Sequence, residues 1–284
     1  MELNREILKS STKIRRRKIE RFLSLFSLTV VALLDVSIVF AQLDSFQIQQ
    51  VDISGNKEIE TASLFSGAQR ILSGKYFGIY PKSNFFIYPK GEIIKETLKI
   101  GALASVIATR DGSILYISVE EREPKYLWCG ELLEPPENKK CFYVDEDGFS
   151  YARAPEFSGH IFFEFYGGEK LGGYTGKNIL PSAQFKNVVS LYGYLETTIK
   201  QFISPDAELY GVNIKKGGDV DFLVKENDGF WEIRSTISID STEQAKKMEI
   251  AVSSPVFQGE LKKNARGILY LDLRFGKKVF YKFR

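Results

Sequence analysis

Residues 22–40 read Phe-Leu-Ser-Leu-Phe-Ser-Leu-Thr-Val-Val-Ala-Leu-Leu-Asp-Val-Ser-Ile-Val-Phe, nineteen residues of which only Asp35 is ionisable. Nothing else in the chain restricts its fold and surroundings so strongly. As a helix this run spans about 28 Å at 1.5 Å per residue, close to the thickness of a bilayer's hydrocarbon core. Residues 1–21 carry eight basic side chains (Arg5, Lys9, Lys13, Arg15, Arg16, Arg17, Lys18, Arg21) against Glu2, Glu6 and Glu20, a net of +5. Basic residues clustered before a span hold that side in the cytoplasm. The expectation is a signal anchor at residues 22–41 with a type II orientation in the cytoplasmic membrane, the bulk of the chain lying outside the cell interior.

Two other readings compete with the anchor. Val39-Phe40-Ala41 before Gln42 has the small-residue form of a secretory cleavage site, although the apolar run is longer than the 7–15 residues of an ordinary signal core. A buried helix of a soluble protein conflicts with the flanking cations and the missing amphipathic period. Asp35 costs on the order of 3 kcal/mol near a bilayer centre, so it either meets a partner helix or sits off-centre toward the outer interface.

The whole 284-residue chain has a net charge of +3, which leaves −2 for everything after the basic arm. A slightly acidic body is not the footprint of a nucleic-acid binder. One histidine, His160, and two cysteines, Cys129 and Cys141, cannot assemble a four-ligand Cys/His zinc site and leave most acid–base schemes to a single imidazole. With 44% hydrophobic and 13% aromatic residues the exported part has material for two packed domains.

After a short link at 42–45, Phe46-Gln-Ile-Gln-Gln-Val-Asp-Ile alternates as a strand and ends at Ser54-Gly55-Asn56. The spacing of Ile59, Ala62, Ala68, Ile71 and Leu72 predicts a helix over 58–73, and Pro89 opens a second with Ile93, Ile94 and Leu98. Strands at 105–109 and 113–119 flank Asp111-Gly112, a hairpin signal. The order β-α-α-β-β closes at Glu121-Arg122-Glu123-Pro124. Beyond it, strands are expected at 126–129, 142–144, 149–151 and 161–166, then a glycine-rich loop over 167–176. Phe185, Val188, Val189, Tyr192, Leu195, Ile199 and Phe202 mark a long helix starting at Pro181. Strands follow at 208–214, 219–224 and 230–239, the last two joined by Glu226-Asn227-Asp228-Gly229. Ser241 with Gln244 has the form of a capping box for a helix over 242–252. Two strands, 267–273 and 278–283, complete the chain. The fold class is α+β.

The residues that could carry chemistry are few. Cys129 and Cys141 bracket a turn-rich loop; in an oxidising compartment they either pair, stabilising by about 3 kcal/mol, or remain free thiols. Asp145-Glu146-Asp147-Gly148 fits a solvated turn better than a calcium loop or an acid–base pair. Gly167-Gly168 and Gly172-Gly173 lack the Gly-Lys-Ser/Thr of a phosphate cradle. His160, in Ser-Gly-His, lacks an evident nucleophile to activate.

In order and spacing, these features resemble the bacterial cell-division family FtsQ/DivIB. The resemblance is carried by the basic arm and single anchor, Ile48-Gln-Gln-Val-Asp-Ile-Ser-Gly55-Asn56 opening a POTRA-like unit, Glu121-Arg122-Glu123-Pro124, Val144-Asp-Glu-Asp-Gly148, and Tyr270-Leu-Asp-Leu-Arg-Phe-Gly-Lys-Lys-Val-Phe-Tyr-Lys282. Where the family has Leu-Pro before a glycine, this chain has Ala154-Pro155 and Gly159, and the cysteine pair is not a general family feature. The resemblance implies a cytoplasmic arm (1–21), an anchor (22–41), a POTRA-like domain (45–122) and a mixed β-rich domain with two helices ending in an edge strand (123–284). It further implies a non-enzymatic scaffold at the division septum, with no cofactor, metal, small-molecule substrate or nucleic acid. Such a scaffold binds an FtsB/FtsL-like pair and, through it, the septal peptidoglycan synthase.

A final strand at a sheet edge can accept a partner strand, so the expected contact residues are Arg274, Phe275, Val279, Phe280, Tyr281 and Lys282. Phe275 and Arg274 match the family's partner-contacting positions, and Phe275, Phe280 and Phe283 read equally well as ordinary core. The second helix of the POTRA-like unit, Gly91–Ile100, is implied as a further contact surface. The rival readings are an extracytoplasmic POTRA-type export or chaperone module that holds extended polypeptides, and a hydrolase, for which no nucleophile can be placed.

Overall fold

The computed structural model describes residues 2–131, 140–167, 176–227, 229–264 and 267–284, with residues 2–19 as helical backbone. The chain is mixed α+β and divides into two compact units, Met1–Glu121 and Arg122–Arg284.

The first unit begins with one continuous helix, α1 (Glu2–Gln42), so the expected arm and anchor are not separated by a break. Its stretch Glu20–Gln42 is long and apolar enough to cross a membrane, and apart from the partly covered Ile38 and Ala41 its residues are exposed. Asp35 is exposed on the helix surface. A single turn of 3₁₀-helix at Asp44–Phe46 leads to β1 (Gln50–Ser54), α2 (Thr61–Leu72), the two-residue strands β2 (Lys75–Tyr76) and β3 (Tyr80–Pro81), α3 (Lys90–Thr97), β4 (Leu103–Asp111) and β5 (Ile114–Glu121). Strand β5 is central, pairing parallel to β1 and antiparallel to β4. In β5, Leu115, Ile117 and Val119 are buried while Tyr116, Ser118 and Glu120 face out, the two-residue period of a half-covered sheet. Leu64, Ala68 and Leu72 repeat at four-residue steps along α2 and, with Ile93 of α3, close over that face. The hairpin β2–β3 was not legible in the sequence.

The turn leaving β1 depends on Gly55, which holds φ +90° where an added Cβ would lie 2.1 Å from the Val119 carbonyl oxygen. Beyond it, the Glu121 carboxylate accepts hydrogen bonds from the backbone N–H groups of Lys57 (2.7 Å), Glu58 (2.9 Å) and Ile59 (3.0 Å). Desolvation opposes ionisation there, but the three amide donors outweigh it and hold this carboxylate below its usual range.

The second unit contains β6 (Tyr126–Trp128), β7 (Phe142–Val144), β8 (Phe149–Arg153), β9 (Glu164–Gly167), β10 (Lys177–Asn178), α4 (Ser182–Phe202), β11 (Glu208–Ile214), β12 (Asp219–Glu226), β13 (Gly229–Thr236), α5 (Ser241–Ser253), α6 (Pro255–Lys263), β14 (Ile268–Asp272) and β15 (Phe280–Phe283). All its strands join one sheet in the order β10-β8-β7-β6-β9-β11-β12-β13-β14-β15. The pairs β6–β9, β9–β11 and β13–β14 are parallel, and the rest are antiparallel.

Among the described residues three helices, not the expected two, pack on this sheet: α6 adds the fully buried Phe257. Its start is set by the Ser254 hydroxyl, which accepts from the Phe257 N–H, and by Pro255 in the first turn. The cap of α5 is Asp240, accepting from the Thr242 and Glu243 N–H groups, rather than the expected Ser241. Gln244, the other half of the expected box, instead turns inward to the Ser235 hydroxyl and to backbone carbonyls.

The helix-covered face joins Trp128, Phe165, Phe185, Phe222 and Trp231 with the apolar sides of α4 and α5 in the main core. The opposite face has a smaller cluster of Leu127, Tyr166 and Leu223 around Cys129 and Cys141, which are joined in a disulfide.

Candidate partner-binding edge

Strand β15 lies at one end of the ten-stranded sheet and pairs only with β14. The Arg284 N–H donates to the Gly267 carbonyl, so by alternation the backbone groups of Lys282 and Phe280 face β14 while those of Tyr281 and Phe283 point away from the sheet. The side chains alternate in the other direction. Tyr281 and Phe283 pack inward on Phe257, with ring centroids 5.0 and 5.7 Å away, and Val279 joins the same core. Phe280 and Lys282 face away from the helices and are exposed. Phe275, in the turn between the strands, stacks edge-on against Phe280 at 5.3 Å, and each ring remains about half exposed, at 53% and 50%. The six expected contact residues therefore separate: Phe275, Phe280 and Lys282 are presented outward, whereas Val279 and Tyr281 anchor the strand.

Arg274 is held within the protein. Its guanidinium donates to both carboxylate oxygens of Asp272, at 2.9 and 2.6 Å, and to Asp219 at 2.6 Å. Burial opposes the Asp272 charge, but the hydrogen bonds and charge of Arg274 lower its pKa overall, and the same pairing raises that of Arg274. Lys247 of α5 fixes the turn from the other side, its ammonium donating to the Leu273 carbonyl and, at 2.9 Å, to that of Gly276. Reading the sequence by residue type did not find these partners, although Asp272 and Arg274 stand two apart, a spacing that places both on one side of an extended chain.

Beyond the paired Arg274 the edge is basic: Lys277, Lys278, Lys282 and Arg284 fall within ten residues that contain no carboxylate side chain. At the other end of the sheet, β10 has only two residues, too short to accept much of a strand. In the first unit, α3 buries Ile93 and Thr97 and exposes Gly91, Glu92 and Lys95, with Glu92 paired to Lys82 at 2.7 Å.

The remaining chemistry-bearing residues have structural partners. A cavity of about 370 Å³ on the helix-free face is lined in part by Cys141, Phe157, His160, Glu164, Tyr210 and Lys225. In it, His160 Nδ1 meets Glu208 at 2.8 Å and the imidazole stacks on Tyr210 at 4.1 Å. Tyr166 donates to Glu164; burial first, then this carboxylate, raises the phenol's pKa far above its usual value. Among the described lining residues the sole cysteine is Cys141, whose sulfur is bridged to Cys129 and is therefore not a thiol. Asp145 accepts from the N–H groups of Asp147 and Phe149 and from Arg122, which lies over the Phe149 ring at 4.1 Å. It is a turn anchor. Among the described residues no group of three or more His, Cys, Asp or Glu side chains is arranged to hold a metal ion. Gly168, Gly172, Gly173 and Asp228 lie outside the described residues.

No family model matches the chain, and no curated protein matches it.

Proposed function

We propose that this protein is a non-enzymatic, membrane-anchored scaffold of cell division, of the FtsQ/DivIB kind, with a POTRA-like first unit. In this reading it sits in the cytoplasmic membrane at the septum in type II orientation. It recruits an FtsB/FtsL-like pair and, through that pair, the septal peptidoglycan synthase. The resemblance in motif order supplies the family. The observation that supports the mechanism is β15, a sheet edge with outward backbone groups of Tyr281 and Phe283 beside the exposed Phe275–Phe280 pair. A partner strand adding there gains main-chain hydrogen bonds, while the aromatic pair and the alternating side chains select its sequence. The cations of Lys277, Lys278, Lys282 and Arg284, with no carboxylate side chain between them, favour an incoming strand that carries acidic residues.

The test is co-purification of the FtsB/FtsL-like pair with Phe275→Ala/Phe280→Ala. Truncating two exposed aromatic anchors is expected to weaken capture by about tenfold or more with the thermal transition unchanged. Capture at the wild-type level would remove this edge from the mechanism. Capture of many unrelated extended peptides, with no septal localisation, would favour the export or chaperone reading instead.

A further inference from the structure

The β2–β3 hairpin of the first unit combines features that the scaffold reading leaves unused. Its turn is closed by the Ile79 N–H donating to the Tyr76 carbonyl at 3.0 Å, with φ +51° at Phe77 and +73° at Gly78. Two successive positive φ values make this a tight turn of the I′ kind, whose first central position suits Asn, Asp or Gly. A bulky aromatic there is strained, and in this protein nothing repays the strain: the Phe77 side chain is 94% exposed. Ile79, Phe86 and Ile87 are exposed with it. Apolar exposure of this kind marks a surface that meets something other than water.

The position of the hairpin identifies what it meets. Tyr80 of β3 contacts Ser37 of α1, hydroxyl to hydroxyl, at 2.8 Å. Ser37 precedes the helix end by five residues, so β3 lies beside the last turns of the apolar segment, about 8 Å below its end, rather than above them. The Ala41 carbonyl, also near that end, accepts from the side chains of Gln47 (2.6 Å) and Asn84 (3.2 Å), which ties the following loop to the helix. Phe46 continues the contact, 6.2 Å from Phe40 and 5.8 Å from Phe86. A surface beside the end of a membrane-crossing helix is level with the headgroups and the first acyl carbons. Tyr76 and Tyr80 beside an exposed Lys75 are the side chains such a layer favours, aromatic rings at the interface and a cation toward anionic headgroups.

We infer that the β2–β3 hairpin and the Phe86–Ile87 turn insert into the lipid interface next to the outer end of α1, giving the first unit a second attachment to the bilayer. The inference rests on α1 spanning a membrane but not on the division partner. It fixes how the first unit stands on the lipid surface, because a single helix alone leaves rotation about its own axis free.

The test uses the full-length protein in vesicles of phosphatidylcholine and phosphatidylglycerol, the native cysteines remaining bridged. An environment-sensitive fluorophore is attached to Phe77→Cys or Phe86→Cys, to Val31→Cys within the span, and to Gln69→Cys on the exposed side of α2. Lipids carrying a quencher near the headgroup or deeper in the chain report depth. The expected result is that labels at 77 and 86 lose most of their fluorescence to the shallow quencher, the label at 31 loses it to the deep one, and the label at 69 keeps its own. Quenching at 31 with labels at 77 and 86 as bright as at 69 overturns the inference while leaving the span intact, and points to a protein covering the hairpin. No quenching at 31 removes the span and the inference together.

Discussion

At residue scale, single positions in this chain carry more than their local motif implies. Gly148 belongs to an Asp-Gly turn that is plain in the sequence. What the sequence does not reveal is that an added Cβ would lie 2.6 Å from the ring of Phe185, a fully buried residue 37 positions later on α4. With φ at +83°, Gly148→Ala combines backbone strain with overpacking and is expected to destabilise by about 3 kcal/mol. A urea titration reads this as a lower midpoint at unchanged slope. Asp145 was legible as a turn residue because Asp and Gly punctuate chains locally. Arg122 stacking on Phe149 and binding Asp145 was not, since that contact exists only after the turn has folded back. The same distinction applies to Arg274, which the sequence marks as basic and near a strand end but which the fold commits to Asp272 and Asp219.

At the scale of elements, the β14–β15 hairpin depends on that commitment. Burial works against the Asp272 charge, and the hydrogen bonds from Arg274 outweigh it, so the carboxylate titrates lower in the folded chain than in the unfolded one. A depressed carboxylate contributes stability above its unfolded pKa and loses it as pH falls through the folded value. Backbone hydrogen-exchange protection of β14 and β15 should therefore decline below about pH 4, ahead of that in β12. Asp272→Asn should cost about 2 kcal/mol at neutral pH, by weakening a charge-assisted pair, and should flatten the acid-side decline. Elements with a strong period were legible: α4 and the β4–β5 hairpin follow directly from their spacing and turn. The missed elements are those whose signal is short. Strands β2 and β3 have two residues each, and α6 has nine with Gly259 inside, so neither presents enough of a period to recognise. The cap of α5 moved from Ser241 to Asp240 because both residue types cap equally well and the tertiary bond of Gln244 decides between them.

At the scale of the whole molecule, each unit has its own core, and the disulfide lies within the second. Reduction opens a link between residues separated by 12 positions and should lower the stability of Arg122–Arg284 by about 3 kcal/mol, with the first unit unaffected. Calorimetry with and without reductant should move only the transition of the second unit; movement of both would contradict separate cores. The division between Glu121 and Arg122 falls inside the charged run Glu121-Arg122-Glu123 that precedes Pro124. The sheet order was not legible in the sequence, because placing β9 between β6 and β11 requires parallel pairings between strands far apart in sequence, which no local signal encodes. Glu121 gives the first unit a property in time as well as in space. Its carboxylate accepts from amides made 62 to 64 residues earlier, so the turn after Ser54 gains these bonds only when the last residue of β5 is in place. A single side chain thereby joins the first turn of the unit to its last strand, and a chain that stops before Glu121 lacks that clasp.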